Sequence, residues 1–181
     1  TFTSSEVTPL LPLWTVPNGM TKGTGVGRNE AHECDSFAPV SVLELFHGPT
    51  SAFKDVALQM LPRLMARANS GAAPASGSGT ASPAERVMIV TATSGDTGKA
   101  ALAGFADASG CGITVFYPEG KVSRVQELQM TTQAGGNVNV CAVRGNFDDA
   151  QSAVKRIFAD RALAERLSNA GWTLSSANSI N

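Results

Sequence analysis

Short apolar segments that alternate with helical ones restrict the possible folds of this chain more than any other feature. Helical periodicity recurs between these segments, and the connections are short. Parallel sheets are built in this way, because each helix carries the chain back to the start of the next strand. We therefore predict an α/β fold, in which a parallel sheet has helices on both faces and three layers result. The predicted strands are RVMIVTAT, GITVFYP, NVNVCAV and WTLSSA.

Apolar residues that recur every three or four positions predict the helices. Residues 52–68 form the first of them, and Pro62 is expected to kink or end its first part. Its predicted apolar face consists of Val56, Met60, Leu64 and Met65. Further helices are predicted directly after SGDTG, from Ser123 to Thr132, and from Phe147 to about Leu167. An additional strand, VSVLELF, is predicted from Val40 to Phe46.

The chain divides into three kinds of segment. Residues 1–40 are rich in Pro, Gly, Ser and Thr without a sustained period, and we interpret them as an N-terminal extended or loop segment. Residues 41–181 carry the predicted α/β domain. Within it, residues 69–85 are low in complexity and lack aromatic side chains, which predicts a flexible insert. No initiator Met is present and SANSIN begins a further segment at the end, so we expect a fragment whose domain is partial.

Composition excludes several classes of function. A hydrophobic content of 43% and a charged content of 16% are typical of a soluble globular domain, and no apolar run is long enough to span a membrane. A net charge of -1 with scattered basic residues does not favour nucleic-acid binding. The three cysteines, Cys34, Cys111 and Cys141, have no C-x-x-C spacing, which favours a reducing, cytoplasmic compartment. HECD, at residues 32–35, has no second cluster beside it, so we expect no metal.

Lys54 is the most informative single residue. It follows an apolar run, a Gly-Pro turn and Phe53, and the first predicted helix begins around it. A lysine in the first turn faces the positive end of the helix macrodipole, which opposes the ammonium form and favours the free amine. This placement suits a nucleophile better than a structural charge. His47 lies in the same loop, and the sequence leaves open whether it orients the loop or acts chemically.

The sequence TATSGDTGKA predicts a strand, a turn and the start of a helix. Its backbone N–H groups, with the hydroxyls of Thr93, Ser94 and Thr97 beside them, form a candidate site for a carboxylate or phosphate. A structural turn with Asp96 near the N-cap explains the same residues equally well. A nucleotide-binding loop is disfavoured, because the spacing is not that of a Walker A motif and no G-x-G-x-x-G is present.

Other loops complete the predicted site. HGPTSAFKD, ATSGDTG, PEGKVS and SSANS each follow a predicted strand, so they should gather along one edge of the sheet, where such folds bind ligands. Read alone, Lys121 in PEGKVS is interpreted as a solvated charge. GNFDDAQ is interpreted as a helix cap with acids in the first turn, because Asp148 and Asp149 would repel an anion.

Taken together, these segments resemble the threonine synthases, which are pyridoxal-phosphate (PLP) enzymes of fold type II. The resemblance runs in the family's order from about Glu44 to Asn181, and residues 1–40 contribute little to it. Five segments in one order are far more specific than any single motif. They are ELFHGPTSAFKDVALQ, TATSGDTGKAA, YPEGKVSRVQELQMTT, GNFDDAQSAVK and SSANSIN.

The resemblance implies the roles of the site residues. Lys54 would carry the internal aldimine with PLP beside the apolar Phe53, and Asp96 would lie at the cofactor. O-phospho-L-homoserine would be the substrate, with Lys54 moving its α and β protons, phosphate leaving from Cγ and water adding at Cβ to give L-threonine. The implied substrate-binding residues are Thr93, Ser94, Gly95 and Thr97 near the carboxylate, and Asn178 and Ser179 near the substrate phosphate.

The family's Gly-rich loop for the PLP phosphate lies downstream of SANSIN, so the isolated 181 residues are expected to bind PLP poorly and to be inactive. Two alternatives remain open. One is a catalytically idle, threonine-synthase-like domain that binds phosphorylated small molecules. The other is a different PLP lyase of fold type II, such as a dehydratase, although it would not be expected to combine HGPTxxFKD with ATSGDTG.

Overall fold

The computed structural model of the protein describes residues 8–12, 41–71 and 86–177. The elements in chain order are β1 (Leu10–Pro12), β2 (Ser41–Leu43), α1 (Lys54–Gly71), β3 (Arg86–Ala92), α2 (Asp96–Phe105), β4 (Cys111–Pro118), α3 (Arg124–Thr131), β5 (Val138–Val143), α4 (Phe147–Ala159), α5 (Arg161–Asn169) and β6 (Trp172–Ser175). None of the helices in these ranges is long and apolar enough to cross a membrane.

Four parallel strands form the central sheet, in the order β5-β4-β3-β6. The register places Ile89 of β3 opposite Ile113 of β4, and both side chains are fully buried. Because all four strands point the same way, the loops after β3, β4 and β6 lie at one edge. The predicted parallel sheet is confirmed, with its four strands close to the predicted segments.

Helices cover both faces of this sheet, as predicted. On one face Ile89 and its neighbours pack with α1 and α2, in a cluster that includes Leu58, Leu102 and Phe105. On the other face, Val90 and Ala92 of the same strand pack with α4. Successive strand residues point to opposite faces, so one continuous apolar run serves both clusters. The three-layer α/β architecture is therefore confirmed.

The prediction of a strand from Val40 to Phe46 was wrong in its length. Only β2 is a strand there, and it pairs antiparallel with β1 in a separate two-stranded sheet, with Leu10 opposite Leu43. Val42 and Leu43 remain 39% and 51% exposed. A short apolar run does not specify its pairing partner, so the sequence could not distinguish this ribbon from a strand of the main sheet. Apart from residues 8–12, the predicted N-terminal segment lies outside the described residues.

The first helix differs from its prediction in two ways. It begins at Lys54 and passes through Pro62 without ending. Its buried side also differs in part. Met65 packs against the core as predicted, together with Leu58 and Leu61, which were not predicted. The predicted face members Met60 and Leu64 are each 58% exposed. Apolar residues surround this helix on several sides, so periodicity alone did not identify the side that meets α2.

Two other boundaries were predicted incorrectly. The single helix predicted from Phe147 to about Leu167 is two helices, because Asp160 ends α4 and its side chain caps α5 by accepting from the N–H of Leu163 at 3.0 Å. The helix α1 extends over the first three residues of the predicted insert. The remaining residues of that insert, 72–85, lie outside the described residues.

Candidate active site

A cleft of about 720 Å³ lies where the first turns of α1 and α2 approach the end of β6. Lys54 and Phe53 line it from the first element, Thr97 from the second, and Ser176 from the segment after the strand. The rest of its wall is the apolar side of α1, including Met60 and Leu64. The cleft therefore combines one amine, several hydroxyls and an apolar wall, as ligand sites commonly do.

Lys54 is the first residue of α1, and it therefore lies in the first turn of the helix, as the sequence predicted. Its side chain is partly buried, and Nζ lies 4.8 Å from the centroid of the Phe53 ring, within the range of a cation–π contact. The neighbouring aromatic ring is itself 59% exposed and lines the same cleft. The structure thus brings Lys54 and Phe53 together in the cleft.

The turn between β3 and α2 is organised by a buried threonine. Thr93 is 2% exposed, and its Oγ1 accepts hydrogen bonds from the N–H groups of Gly95 and Gly98, both at 2.9 Å. This hydroxyl is therefore committed to the protein's own backbone as a helix cap. The N–H groups of Ser94, Asp96 and Thr97 have no hydrogen-bond partner among the described residues.

Those three N–H groups lie at the positive end of α2, where an anion is stabilised. Ser94 is exposed, and Thr97 contacts the cleft directly. Gly95 has a φ of +145°, which L side chains rarely adopt, and a Cβ there would displace the side-chain amide of Gln126. The turn is therefore held by the hydrogen bonds to Thr93 and packed against the side chain of Gln126.

Asp96 is the acidic residue of this turn. Its Oδ1 accepts a hydrogen bond of 2.8 Å from Nε2 of Gln126 and lies 3.1 Å from Nζ of Lys99. The hydrogen bond from Gln126, followed by that from Lys99, lowers the pKa of the Asp96 carboxyl below its ordinary value, and a smaller contribution comes from the charge of Lys54. Asp96 is therefore an anion at neutral pH with a buried lysine as its counter-charge.

Sequence reasoning did not identify Gln126 or Lys99 as parts of this site. Gln126 lies in the first turn of α3, where its N–H and Oε1 both bond with Oγ of Ser123, at 3.3 and 3.0 Å. Thirty residues separate it from Asp96 along the chain, so no local spacing indicated the contact. The predicted gathering of loops at one edge was the available signal, because Gln126 lies only three residues after the end of PEGKVS.

Other candidate residues lie away from the cleft. Lys121 is exposed, in agreement with its interpretation as a solvated charge. Asn146 and Asp149 form a capping box at the start of α4, which confirms the interpretation of GNFDDAQ as a helix cap. His47 lies 2.6 Å from Glu44, measured between Nε2 and Oε2.

Asn178 and Ser179 lie outside the described residues.

In the described ranges no group of three or more His, Cys, Asp or Glu side chains could hold a metal ion. The HECD segment lies outside those ranges.

Comparison with known proteins identifies the family. Residues 26–179 match the family model described as pyridoxal-phosphate dependent enzyme. The chain belongs to this family.

Within the pyridoxal-phosphate-dependent enzymes, the chain is similar to threonine synthases. It is 46% identical over 140 residues to threonine synthase of Pseudomonas aeruginosa, an alignment that covers 77% of this chain and 26% of that protein. It is also 39% identical over 171 residues to human threonine synthase-like 1, covering 87% of this chain and 21% of the relative. The chain thus spans about a quarter of the length of the relatives that it matches.

Solved structures agree with the fold. The crystal structure of PLP-bound threonine synthase from Brucella melitensis superposes with a TM-score of 0.64 at 45% identity, covering 78% of this chain and 27% of that one. A structural match at 45% sequence identity supports membership of the same family as well as a shared fold. The Lys54 cleft is therefore the candidate active site of a pyridoxal-phosphate-dependent enzyme.

Proposed function

We propose that this chain is the lysine-bearing part of a threonine synthase, which converts O-phospho-L-homoserine and water to L-threonine and phosphate. The observation that carries the proposal is the position of Lys54, at the start of α1 and in one cleft with Thr97 and Ser176. The similarity to threonine synthases of other organisms supports it. A cytoplasmic location belongs to the same proposal, since Cys111 and Cys141 are both free thiols.

The residues in the cleft fit PLP. Lys54 supplies the amine for covalent attachment, the apolar side of α1 and Phe53 can accommodate a planar ring, and hydroxyls lie nearby at Thr97 and Ser176. When bound, PLP supplies an electron sink for carbanions next to the substrate nitrogen. The carboxylate of Asp96 would lie at the cofactor side of the turn, with its negative charge balanced by Lys99.

Lys54 has the central role in this mechanism. The overall reaction removes phosphate from Cγ and adds water at Cβ. A proton must therefore leave and return at Cα, another must leave Cβ, and one must be added at Cγ, which becomes the methyl group. Lys54 Nζ is the base in the cleft and would move these protons.

The N-terminus of α2 would bind the substrate carboxylate. The three N–H groups there have no partner among the described residues and lie at the positive end of the helix dipole. Ser94, Gly95 and Thr97 would contact the carboxylate, whereas Thr93 would act through the backbone that it caps. For the substrate phosphate we propose Asn178 and Ser179, which follow the cleft-lining Ala177 in the chain.

A catalytically idle domain is the second candidate. The match to human threonine synthase-like 1 is the observation that favours it. The name of that relative describes a similarity to threonine synthase and does not assign the reaction to it. Such a domain would retain the cleft and bind phosphorylated small molecules without turnover. A different PLP lyase, such as a dehydratase, would use Lys54 on another substrate.

Phosphate release separates these candidates. Protein expressed from the complete reading frame should release inorganic phosphate from O-phospho-L-homoserine and form L-threonine in equal amounts. Binding of O-phospho-L-homoserine without phosphate release would favour the idle domain. Release of ammonia from serine or threonine, without phosphate release, would favour a dehydratase.

The isolated 181 residues are proposed to bind PLP poorly and to lack turnover. The PLP phosphate carries close to two negative charges, and several N–H donors are needed to hold it away from water. Among the described residues, α2 offers such donors but is assigned to the substrate carboxylate, and α4 has acids in its first turn. A titration of the 181-residue chain with PLP, beside the complete protein, tests this, and tight stoichiometric binding by the shorter chain would contradict it.

A further inference from the structure

Asp55 directly follows Lys54 and is completely buried, at 0% exposure. A buried carboxylate normally lies beside a cation, because its charge is costly to remove from water. Across the described ranges, no lysine, arginine or histidine lies within ion-pair distance of this carboxylate. Hydrogen bonds therefore stabilise the carboxylate of Asp55, and their donors identify the segment that it holds in place.

All of its hydrogen-bond donors belong to the loop that leads into α1. Oδ2 accepts from the N–H of Thr50 at 2.9 Å and from the N–H of Ala52 at 3.4 Å. Oδ1 accepts from the hydroxyl of Thr50 at 2.7 Å. The carboxylate thus ties the loop backbone at Thr50 and Ala52 to the second residue of the helix.

The loop is packed against Asp55 as well as bonded to it. A Cβ at Gly48 would lie 2.4 Å from Cβ of Asp55, so only glycine allows this approach. Ser51 has a φ of +56°, which is uncommon for a residue other than glycine and needs support from its surroundings. Its N–H donates to the carbonyl of Gly48 at 3.1 Å, which closes the turn.

We propose that Asp55 is a positioning residue for Lys54. Through its three hydrogen bonds it fixes the loop of residues 48–52, and this loop sets where α1 begins and where the Lys54 side chain enters the cleft. This positioning role depends on where the side-chain oxygens of Asp55 accept hydrogen bonds, and the negative charge of the carboxylate matters less. The inference rests on the proposed function of Lys54, but it can be tested without the cofactor.

Two substitutions separate geometry from charge. In Asp55→Asn, the amide oxygen can accept from both backbone N–H groups, and the amide NH₂ can donate to Thr50 if that hydroxyl reverses to become an acceptor. The shape and all three bonds are kept while the charge is removed. Asp55→Ala removes all three bonds and leaves two buried N–H groups without a partner.

Lysine reactivity provides the cofactor-free measurement. The complete protein is acetylated briefly with an amine-selective reagent, and the rate at Lys54 is compared with that at exposed Lys121 by peptide mass spectrometry. In Asp55→Ala we expect the ratio to rise at least about threefold as the released loop exposes Lys54. In Asp55→Asn we expect a ratio close to that of the wild type.

Cofactor attachment is the second measurement. Borohydride trapping should show PLP affinity at Lys54 reduced at least about tenfold in Asp55→Ala and little changed in Asp55→Asn. Val154→Ala serves as the control, because this residue packs on the opposite face of the sheet and its loss also lowers the melting temperature. The control should leave both the acetylation ratio and PLP affinity unchanged.

Either of two results would overturn the proposal. The first is that Asp55→Ala affects Lys54 no more than Val154→Ala does. The second is that Asp55→Asn is as impaired as Asp55→Ala, which would assign the effect to charge. If wild-type protein attaches PLP elsewhere, the proposed function fails, and the acetylation ratio still decides the role of Asp55.

Discussion

The side-chain amide of Gln126 donates a hydrogen bond of 2.8 Å to the carboxylate of Asp96. This bond joins the first turn of α3 to the first turn of α2, although thirty residues separate the two along the chain. It also holds Asp96 as an anion beside the cleft, together with the ammonium group of Lys99. The negative charge beside the candidate site is therefore stabilised by α3, a helix that contributes no residue to the cleft lining.

The lowered pKa of Asp96 predicts a pH-dependent contribution to stability. A carboxyl whose folded pKa lies below its ordinary value of 3.8 stabilises the fold above that pH, and the contribution is lost as pH falls through the folded pKa. Asp96→Asn should therefore cost about 0.5 kcal/mol at neutral pH, a small value because the side chain is 47% exposed. Denaturant unfolding of both proteins between pH 7 and pH 3 measures the difference, which should shrink below pH 3.8.

A difference that stays constant over this range would show that the charge of Asp96 is not stabilised by its neighbours. Gln126→Leu is the matched variant, because it removes the hydrogen bond that lowers the pKa of Asp96 most and keeps Lys99. It should reproduce part of the effect with the same direction in pH.

Thr93 should contribute to stability through its hydroxyl. Thr93→Val preserves the shape but leaves the N–H groups of Gly95 and Gly98 without their acceptor in a buried turn. We expect the free energy of unfolding to fall by about 2 kcal/mol. Chemical denaturation measures it, and Thr93→Ser, which retains the hydroxyl, should lose less.

Gly104 should be intolerant of any side chain. Pro62 has no N–H to donate to the carbonyl of Leu58, four residues earlier in α1, and Gly104 of α2 packs against that same carbonyl. A Cβ at Gly104 would lie 2.1 Å from the carbonyl oxygen of Leu58. Gly104→Ala should therefore force the helices apart and destabilise the protein by about 1–3 kcal/mol.

Thermal unfolding compares this variant with Gly136→Ala, where the nearest atom to an added Cβ is 3.7 Å away. The control should be close to wild type. Equal stability of the two variants would mean that α1 and α2 can separate without cost.

Much of the fold could be predicted because its signals are local. Strand-length apolar runs predicted the parallel sheet, and the Asn and Asp residues of GNFDDAQ predicted the cap of α4. The start of α1 near Lys54 was predicted in the same way, from a turn followed by helical periodicity. The break at Asp160 had a readable signal too, since an aspartate before a helical run is a typical N-cap.

What could not be predicted depends on contacts between distant residues. The separate pairing of β1 with β2 and the buried side of α1 are set by packing partners, which periodicity does not name. In the candidate site, Gln126 reaches Asp96 across thirty residues, and no sequence pattern indicated that Asp55 bonds to the loop before α1. The commitment of Thr93 to the backbone required coordinates, because a threonine in such a turn suits ligand binding equally well.

The central claim is that Lys54 is the residue that holds PLP. The most direct measurement is borohydride reduction of the complete protein with PLP, followed by peptide mapping. We predict a single labelled lysine at Lys54, and loss of both the label and phosphate release in Lys54→Ala with the fold retained by circular dichroism. A label on Lys99 or Lys121, or phosphate release that persists in Lys54→Ala, would contradict the claim.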